Sequence, residues 1–211
     1  MPPKNKDKLN FDDEEWKGSP STDRSALPYH NTTVCFVVSG HRLICKIADG
    51  CVTFPGGEIG DGETPTDAVI RKLKEEIGAE VSELRQLSSL TVDWTENDSK
   101  RFERYDKFRG EETFFFVAFV SKLSKPASTK GDAWANVGET HTFTFPEVIS
   151  SLEKADRRAR GTNYSAFYAV QITCAKLIHM MIGVSKAQQE VAKEITGGAI
   201  PNVFTTRKYI K

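Results

Sequence analysis

Residues 54–78 read FPGGEIGDGETPTDAVIRKLKEEIG. The first half, with Gly56, Gly57, Gly60 and Gly62, has too few side chains for a regular element and reads as a loop whose backbone is open to close approach. The second half has helix punctuation at both ends. Thr64 is a predicted N-cap, Pro65 suits the first helical position, and Asp67 stands three residues after Thr64 in capping-box position. Gly78 is the predicted stop. At 100° per residue, Val69, Ile70, Leu73 and Ile77 fall on one stripe that should face a sheet. Lys72, Glu75 and Glu76 share the next arc.

That second arc carries the chemistry. Two carboxylates fixed side by side on a rigid helix repel each other unless a cation neutralises them. A hard divalent ion such as Mg²⁺ does so with one or two carboxylates, water and substrate phosphate oxygens. The preceding glycine loop supplies backbone that a phosphate or metal could approach. Read separately, the loop is an ordinary turn and the glutamates a solvated helix end. It is their combination at this spacing that points to a site.

Outward from this stretch, TTVCFVVSG, HRLICKI and CVTFPGG (32–57), then SSLTVDW (88–94), ETFFFVAFV (112–120) and THTFTFP (140–146), are short β-branched or aromatic runs that read as strands. Residues 146–160 read as a helix, and residues 163–182 repeat Phe167, Val170, Cys174, Leu177, Ile178 and Met181 at helical spacing. Strands, one glycine-introduced helix, strands and late helices give an α/β (α+β) class with a mixed sheet. Three sections are expected: a charged leader over 1–28, a layered domain over 29–153, and a helical extension over 154–211 packed on it.

The segment resembles the signature of the Nudix hydrolase family, G-x5-E-x7-R-E-U-x-E-E-x-G-U with U aliphatic. Gly57, Glu63, Arg71, Leu73, Glu75, Glu76 and Gly78 match, and Phe54-Pro55-Gly56 looks like the usual lead-in. The resemblance implies an α/β/α sandwich, a Mg²⁺ or Mn²⁺ cofactor and hydrolysis of the pyrophosphate bond in a nucleoside diphosphate linked to another group. That class of substrate includes nucleotide derivatives and capped RNA. It implies Glu75 and Glu76 as catalytic metal ligands, with the Gly56 or Gly57 carbonyl as another. Glu63 and Arg71 would hold loop to helix.

Two positions depart from the signature. Ala79 replaces a larger aliphatic residue, a small packing change. Lys72 stands where the family has a glutamate that commonly ligates metal or activates water, and three or four residues separate it from Glu75 and Glu76, so its ammonium can pair with either. Two readings follow. In one, the chain is a hydrolase whose missing carboxylate comes from elsewhere, with Glu139 the first candidate for catalytic base and Glu111 or Glu112 the others. In the other, it is a catalytically impaired domain that binds a nucleotide or RNA, with Lys72 as a phosphate contact.

Other features narrow the setting. Lys plus Arg and Asp plus Glu each number 29, so no overall field draws the chain to nucleic acid or membrane. No uninterrupted apolar run approaches the roughly 20 residues of a bilayer span. Cys35, Cys45, Cys51 and Cys174 lack metal or disulfide spacing and read as buried thiols, and residues 1–18 lack a secretory h-region. The expectation is a cytoplasmic protein. Phe102, Tyr105, Phe108 and Trp134 are candidates for packing or base stacking, and Lys154–Gly161 for a charged helix end or an RNA contact. His30, His41, His141 and His179 show no zinc spacing, His179 reads as structural, and His141 lies close to Glu139.

Overall fold

The computed structural model describes residues 24–94, 106–124 and 140–196. A 3-10 turn, Arg24–Ala26, leads into β1 (Tyr29–Ser39), β2 (Arg42–Ala48), β3 (Cys51–Thr53) and β4 (Gly56–Glu58). Helix α1 (Pro65–Ile77), β5 (Ala79–Asp93), β6 (Gly110–Leu123), β7 (His141–Thr144), α2 (Phe145–Ala159) and α3 (Asn163–Thr196) follow. The leader over residues 1–23, and with it Glu139, Trp134, Phe102 and Tyr105, lies outside the described residues.

The strands form one mixed sheet in the order β3-β2-β1-β6-β5, with β4 paired to β1 and β7 to β2. The parallel pair is β1 with β6, from Tyr29↔Gly110 to Val38↔Phe119, and the other pairings are antiparallel. Alternation along β1 sends Cys35 and Val37 to one face, where they meet Val69, Leu73 and Ile77 of α1 and Phe116 and Ala118 of β6. Phe36 and Val38 point the other way, into a core shared with Phe115, Val117, Phe145 and Leu152 and with Cys174 and Ile178 of α3. The sheet is therefore covered on both faces, which is why its central strands read as near-continuous apolar runs. This is the α/β/α layering expected from the sequence.

The helix ends follow their punctuation. Thr64 Oγ1 accepts from the Asp67 N–H at 3.2 Å, and Gly78 takes the left-handed conformation at φ 62°. Thr144 and Glu147 form a complete capping box at the start of α2. Two details differ from the sequence reading. Ile70 is 45% exposed, and Ala68 takes its place in the buried stripe. Strand β5 begins at Ala79, nine residues before the run at Ser88: it is the edge strand, and over 80–86 only Val81 and Leu84 pack against the core, so the apolar alternation there is weak.

All four cysteines are buried free thiols. Burial pushes the Cys174 thiol up to about 11 and those of Cys35 and Cys45 further still, so they pack as small apolar groups. Within α3, Tyr164–Gly183 is long and apolar enough to cross a bilayer by length and composition. Gln171, Cys174, Ala175 and Ile178 of that segment are buried in the protein core. His179 stacks on the Phe145 ring with centroids 5.0 Å apart, the structural part expected of it.

Candidate active site

The site grows from the close approach of β4 to β1. A Cβ on Gly56 would stand 2.1 Å from the Thr33 carbonyl oxygen, and Gly56 has φ 150°, so only glycine closes the strand pair here. The Gly56 N–H is left pointing toward α1, where it donates to Glu76 Oε2 at 3.1 Å. Gly57, at φ 143°, has its carbonyl held by Thr33 Oγ1 at 3.3 Å. Thr33 was missed in the sequence, although β1 alternation places it on the same face as Cys35 and Val37.

Arg71 ties the loop to the helix. Its Nε and Nη2 donate to the two Glu63 carboxylate oxygens at 2.8 and 2.7 Å, a bidentate fork, while Nη1 reaches Glu75 Oε2 at 3.2 Å and Nη2 the Glu58 carbonyl at 3.3 Å. Gly60 N–H adds a bond to Glu63 Oε2 at 2.9 Å. The guanidinium, and secondarily that N–H, hold the Glu63 carboxyl down at about 2, and the same carboxylate raises the Arg71 pKa. Glu63 and Arg71 thus fix the shape of the loop that carries Gly56 and Gly57.

Glu75 and Glu76 sit together at the glycine loop, in different surroundings. The Glu76 side chain is fully buried, whereas that of Glu75 is 32% exposed. Lys72 Nζ lies 3.9 Å from Glu76 Oε1 and 4.0 Å from Glu75 Oε2, ion-pair distances longer than a hydrogen bond. The lysine stem passes over Gly57: a Cβ there would meet Lys72 Cε at 3.3 Å. An ammonium midway between two carboxylates marks a place where the field favours a cation.

The remaining candidates divide by face. Glu111 accepts from Thr32 Oγ1 at 2.9 Å and Thr113 Oγ1 at 3.2 Å, on the side of the sheet that carries Val34 and Phe115, away from α1. Glu112, the next residue of β6, falls on the α1 side by alternation. His30 pairs with Glu58 at 3.5 Å and packs on Phe108, whereas His141 lies against Phe143 in β7. Arg158, from the basic run at the end of α2, turns back to Cys51 Sγ and to the Asp49 carbonyl at 3.5 Å.

An all-oxygen set of two adjacent carboxylates and a nearby backbone carbonyl suits a hard divalent ion, which needs few protein ligands when water and phosphate supply the rest. Lys72 Nζ, lodged at the same point, acts as a stand-in cation and shows that the geometry accommodates positive charge. The described residues contain no cluster of three or more His, Cys, Asp and Glu arranged for a metal.

The chain is similar in sequence to known proteins. Nucleoside triphosphatase NudI of Salmonella agona is 34% identical over 101 residues, covering 44% of this chain and 68% of that protein. NudI of Salmonella typhimurium is 36% identical over a stretch of the same length. Among solved structures, the Bacillus subtilis pyrophosphohydrolase BsRppH aligns over 60% of this chain and 66% of its own at 24% identity and TM-score 0.39. The E. coli dihydroneopterin triphosphate pyrophosphohydrolase aligns over 59% and 88% at 12% identity and TM-score 0.44. The profile of the NUDIX domain matches residues 26–163, from the turn before β1 to the first residue of α3, and encloses every residue of the site described above. The chain belongs to the NUDIX domain family.

Proposed function

We propose that the chain is a divalent-metal-dependent hydrolase that cleaves the pyrophosphate bond of a nucleoside diphosphate joined to another group. The observation that carries this reading is the convergence of Glu75, Glu76 and the Gly56–Gly57 backbone on one point, held in place by the Glu63–Arg71 fork. The name of its relatives, nucleoside triphosphatase, supports a nucleotide as substrate class. When bound, Mg²⁺ or Mn²⁺ would neutralise charge on the phosphate oxygens and lower the pKa of an attacking water. Glu75 and Glu76 would hold that ion. Lys72 would contact a phosphate oxygen and offset part of the charge that develops on it. Arg71 would keep Glu75 oriented, and Glu63 would keep Arg71 in place. Glu139 is the candidate for the base that removes a proton from the attacking water, replacing the carboxylate that Lys72 displaces.

A panel of ADP-ribose, dinucleoside polyphosphates, nucleoside triphosphates and capped RNA, assayed with Mg²⁺ and with Mn²⁺, tests the reading. Release of a nucleoside monophosphate is expected from at least one, with Glu76→Gln reducing it. Orthophosphate from simple monoesters as the sole product would contradict it.

The position of Lys72 between the two carboxylates favours one second reading, binding without turnover. Tight, metal-independent nucleotide binding with no hydrolysis across the panel would establish that alternative.

A further inference from the structure

Helix α3 carries two apolar stripes, and the domain uses one of them. Phe167, Cys174, Ile178 and Ile182 pack into the core on the sheet face opposite α1. Beside them Leu177, Met180 and Met181 are 43, 59 and 43% exposed, three large apolar side chains within little more than one turn. We propose that this second stripe is a helix-pairing seam whose occupant is α3 of a second copy of the chain. The inference is independent of the hydrolase reading, because α1, which carries Glu75 and Glu76, covers the other face of the sheet.

The spacing along the helix identifies another helix as the fitting partner. Valine or leucine recurs every seven residues at Val170, Leu177, Val184 and Val191, and Met181, Gln188 and Ile195 stand four residues after the last three of these. That alternation of four and three is the heptad pattern of helices packed along their length. At 100° per residue, positions 177, 180, 181, 184, 188, 191 and 195 share an arc of about 100°. Lys186, Glu190, Lys193 and Glu194, the charged residues over 183–196, fall in an arc of similar width on the far side of the helix. Ile182 is the last α3 residue described in contact with the core, and the helix continues to Thr196, about four turns further. A helical stretch of that length gains little stability in water from its own hydrogen bonds, so a partner that covers its apolar stripe stabilises it.

Charge and one polar residue select a second copy as that partner. Residues 183–196 carry two lysines and two glutamates, so like stretches do not repel each other. An anionic membrane surface, which recruits helices rich in Lys and Arg, finds no excess of positive charge there. Gln188 interrupts the apolar seam at a heptad a position. A polar residue there is costly against an apolar partner and satisfied against its own equivalent, because an amide carries both a donor and an acceptor. Two parallel α3 helices in register bring Gln188 against the same residue of the second copy. The core stripe and the seam lie roughly a quarter turn apart, so the two domains of such a pair stand to either side of the seam and leave it open.

The test is the mass of the full chain in solution, measured by analytical ultracentrifugation from low to high micromolar concentration. Wild type is expected to pass from monomer to dimer across that range. Leu177 and Met181 are exposed in the monomer, so its fold should tolerate Leu177→Glu together with Met181→Glu. The pair of substitutions should raise the dissociation constant by about thirtyfold or more, the scale of charges placed inside a packed interface. Ile47→Glu makes the same change at a position on β2 that is 43% exposed and should leave the mass unchanged. If the paired glutamates prevent folding, Gln188→Leu serves: it removes the polar group from the seam and should lower the dissociation constant by about threefold or more. A wild type that is monomeric throughout overturns the inference, as does a dimer that the α3 variants leave unperturbed. A monomer that sediments with vesicles of phosphatidylcholine and phosphatidylserine would give the seam to a membrane surface and overturn it equally.

Discussion

Lys72 lies across Gly57. A Cβ built on the glycine would stand 3.3 Å from Lys72 Cε and 3.6 Å from Nζ, so the lysine stem covers the glycine and its ammonium faces Glu75 and Glu76. Lys72→Glu replaces a positive charge by a negative one within a few ångströms of any bound ion. Divalent-ion affinity should rise by an amount worth on the order of 1 kcal/mol or more, even with solvent screening. Stability without metal should fall, because three carboxylates would then crowd one helix face. Calorimetric titration with Mg²⁺ and Mn²⁺, paired with thermal unfolding in chelator, checks both halves. Unchanged affinity would detach Lys72 from the metal site.

The two loop glycines should respond differently to alanine. At Gly56 the new methyl would meet the Thr33 carbonyl oxygen at 2.1 Å, and backbone on both sides must move. A loss of at least about 3 kcal/mol is expected, visible as a collapsed unfolding transition. At Gly57 the obstacle is the flexible end of Lys72, so the cost is the positive φ alone, roughly 1–2 kcal/mol. The displaced ammonium should leave the carboxylates more open to metal. Gly57→Ala should therefore increase divalent-ion affinity in the same direction as Lys72→Glu, by less.

The glycine loop, the helix and its ends were legible because each rests on local rules. Thr64, Pro65 and Gly78 act on their own backbone, and the spacing of Glu63, Arg71, Glu75 and Glu76 is fixed once the helix is assigned. Arg71 meets Glu63 as the family resemblance implied. The contrast between buried Glu76 and half-exposed Glu75 was not legible, because it depends on where β4 passes α1. Thr33 was hidden for the same reason, as was the turn of Arg158 back to Cys51. Their roles come from pairings across 24 residues for Thr33 with Gly57 and 107 for Arg158 with Cys51. Strand β5 was underestimated since an edge strand with polar outward residues carries little of the alternation by which strands are recognised.

Acid should loosen the site through Glu63. Its carboxyl is held at about 2, below the ordinary 4.5, by the Arg71 fork and then by Gly60 N–H. A group with a depressed folded-state pKa contributes stability above its unfolded value and loses that contribution as pH falls toward the folded one. The contribution is therefore complete above about pH 4.5 and gone by about pH 2. Thermal unfolding of wild type and Glu63→Gln should differ most near neutrality and converge through that window. A difference that stays constant across it would mean the fork adds no net stability.

Glu75→Gln and Glu76→Gln should separate the two carboxylates. Glu76 is wholly buried, accepts from the Gly56 N–H and faces Lys72 Nζ at 3.9 Å, so its neutralisation removes charge from a place with little solvent to compensate. The glutamine could still accept from Gly56, but its amide hydrogens would face the ammonium. A stability loss of about 1–3 kcal/mol is expected, together with loss of measurable divalent-ion binding. Glu75 is 32% exposed, and water can replace part of what Arg71 and Lys72 lose. Its neutralisation should cost less than about 1 kcal/mol in stability and weaken metal binding without abolishing it. Urea unfolding gives the first ranking and Mn²⁺ titration the second. If the two variants bind metal as wild type does, the ion is held elsewhere; if Glu75→Gln proves the more destabilising, the burial of Glu76 is not what anchors the loop to α1.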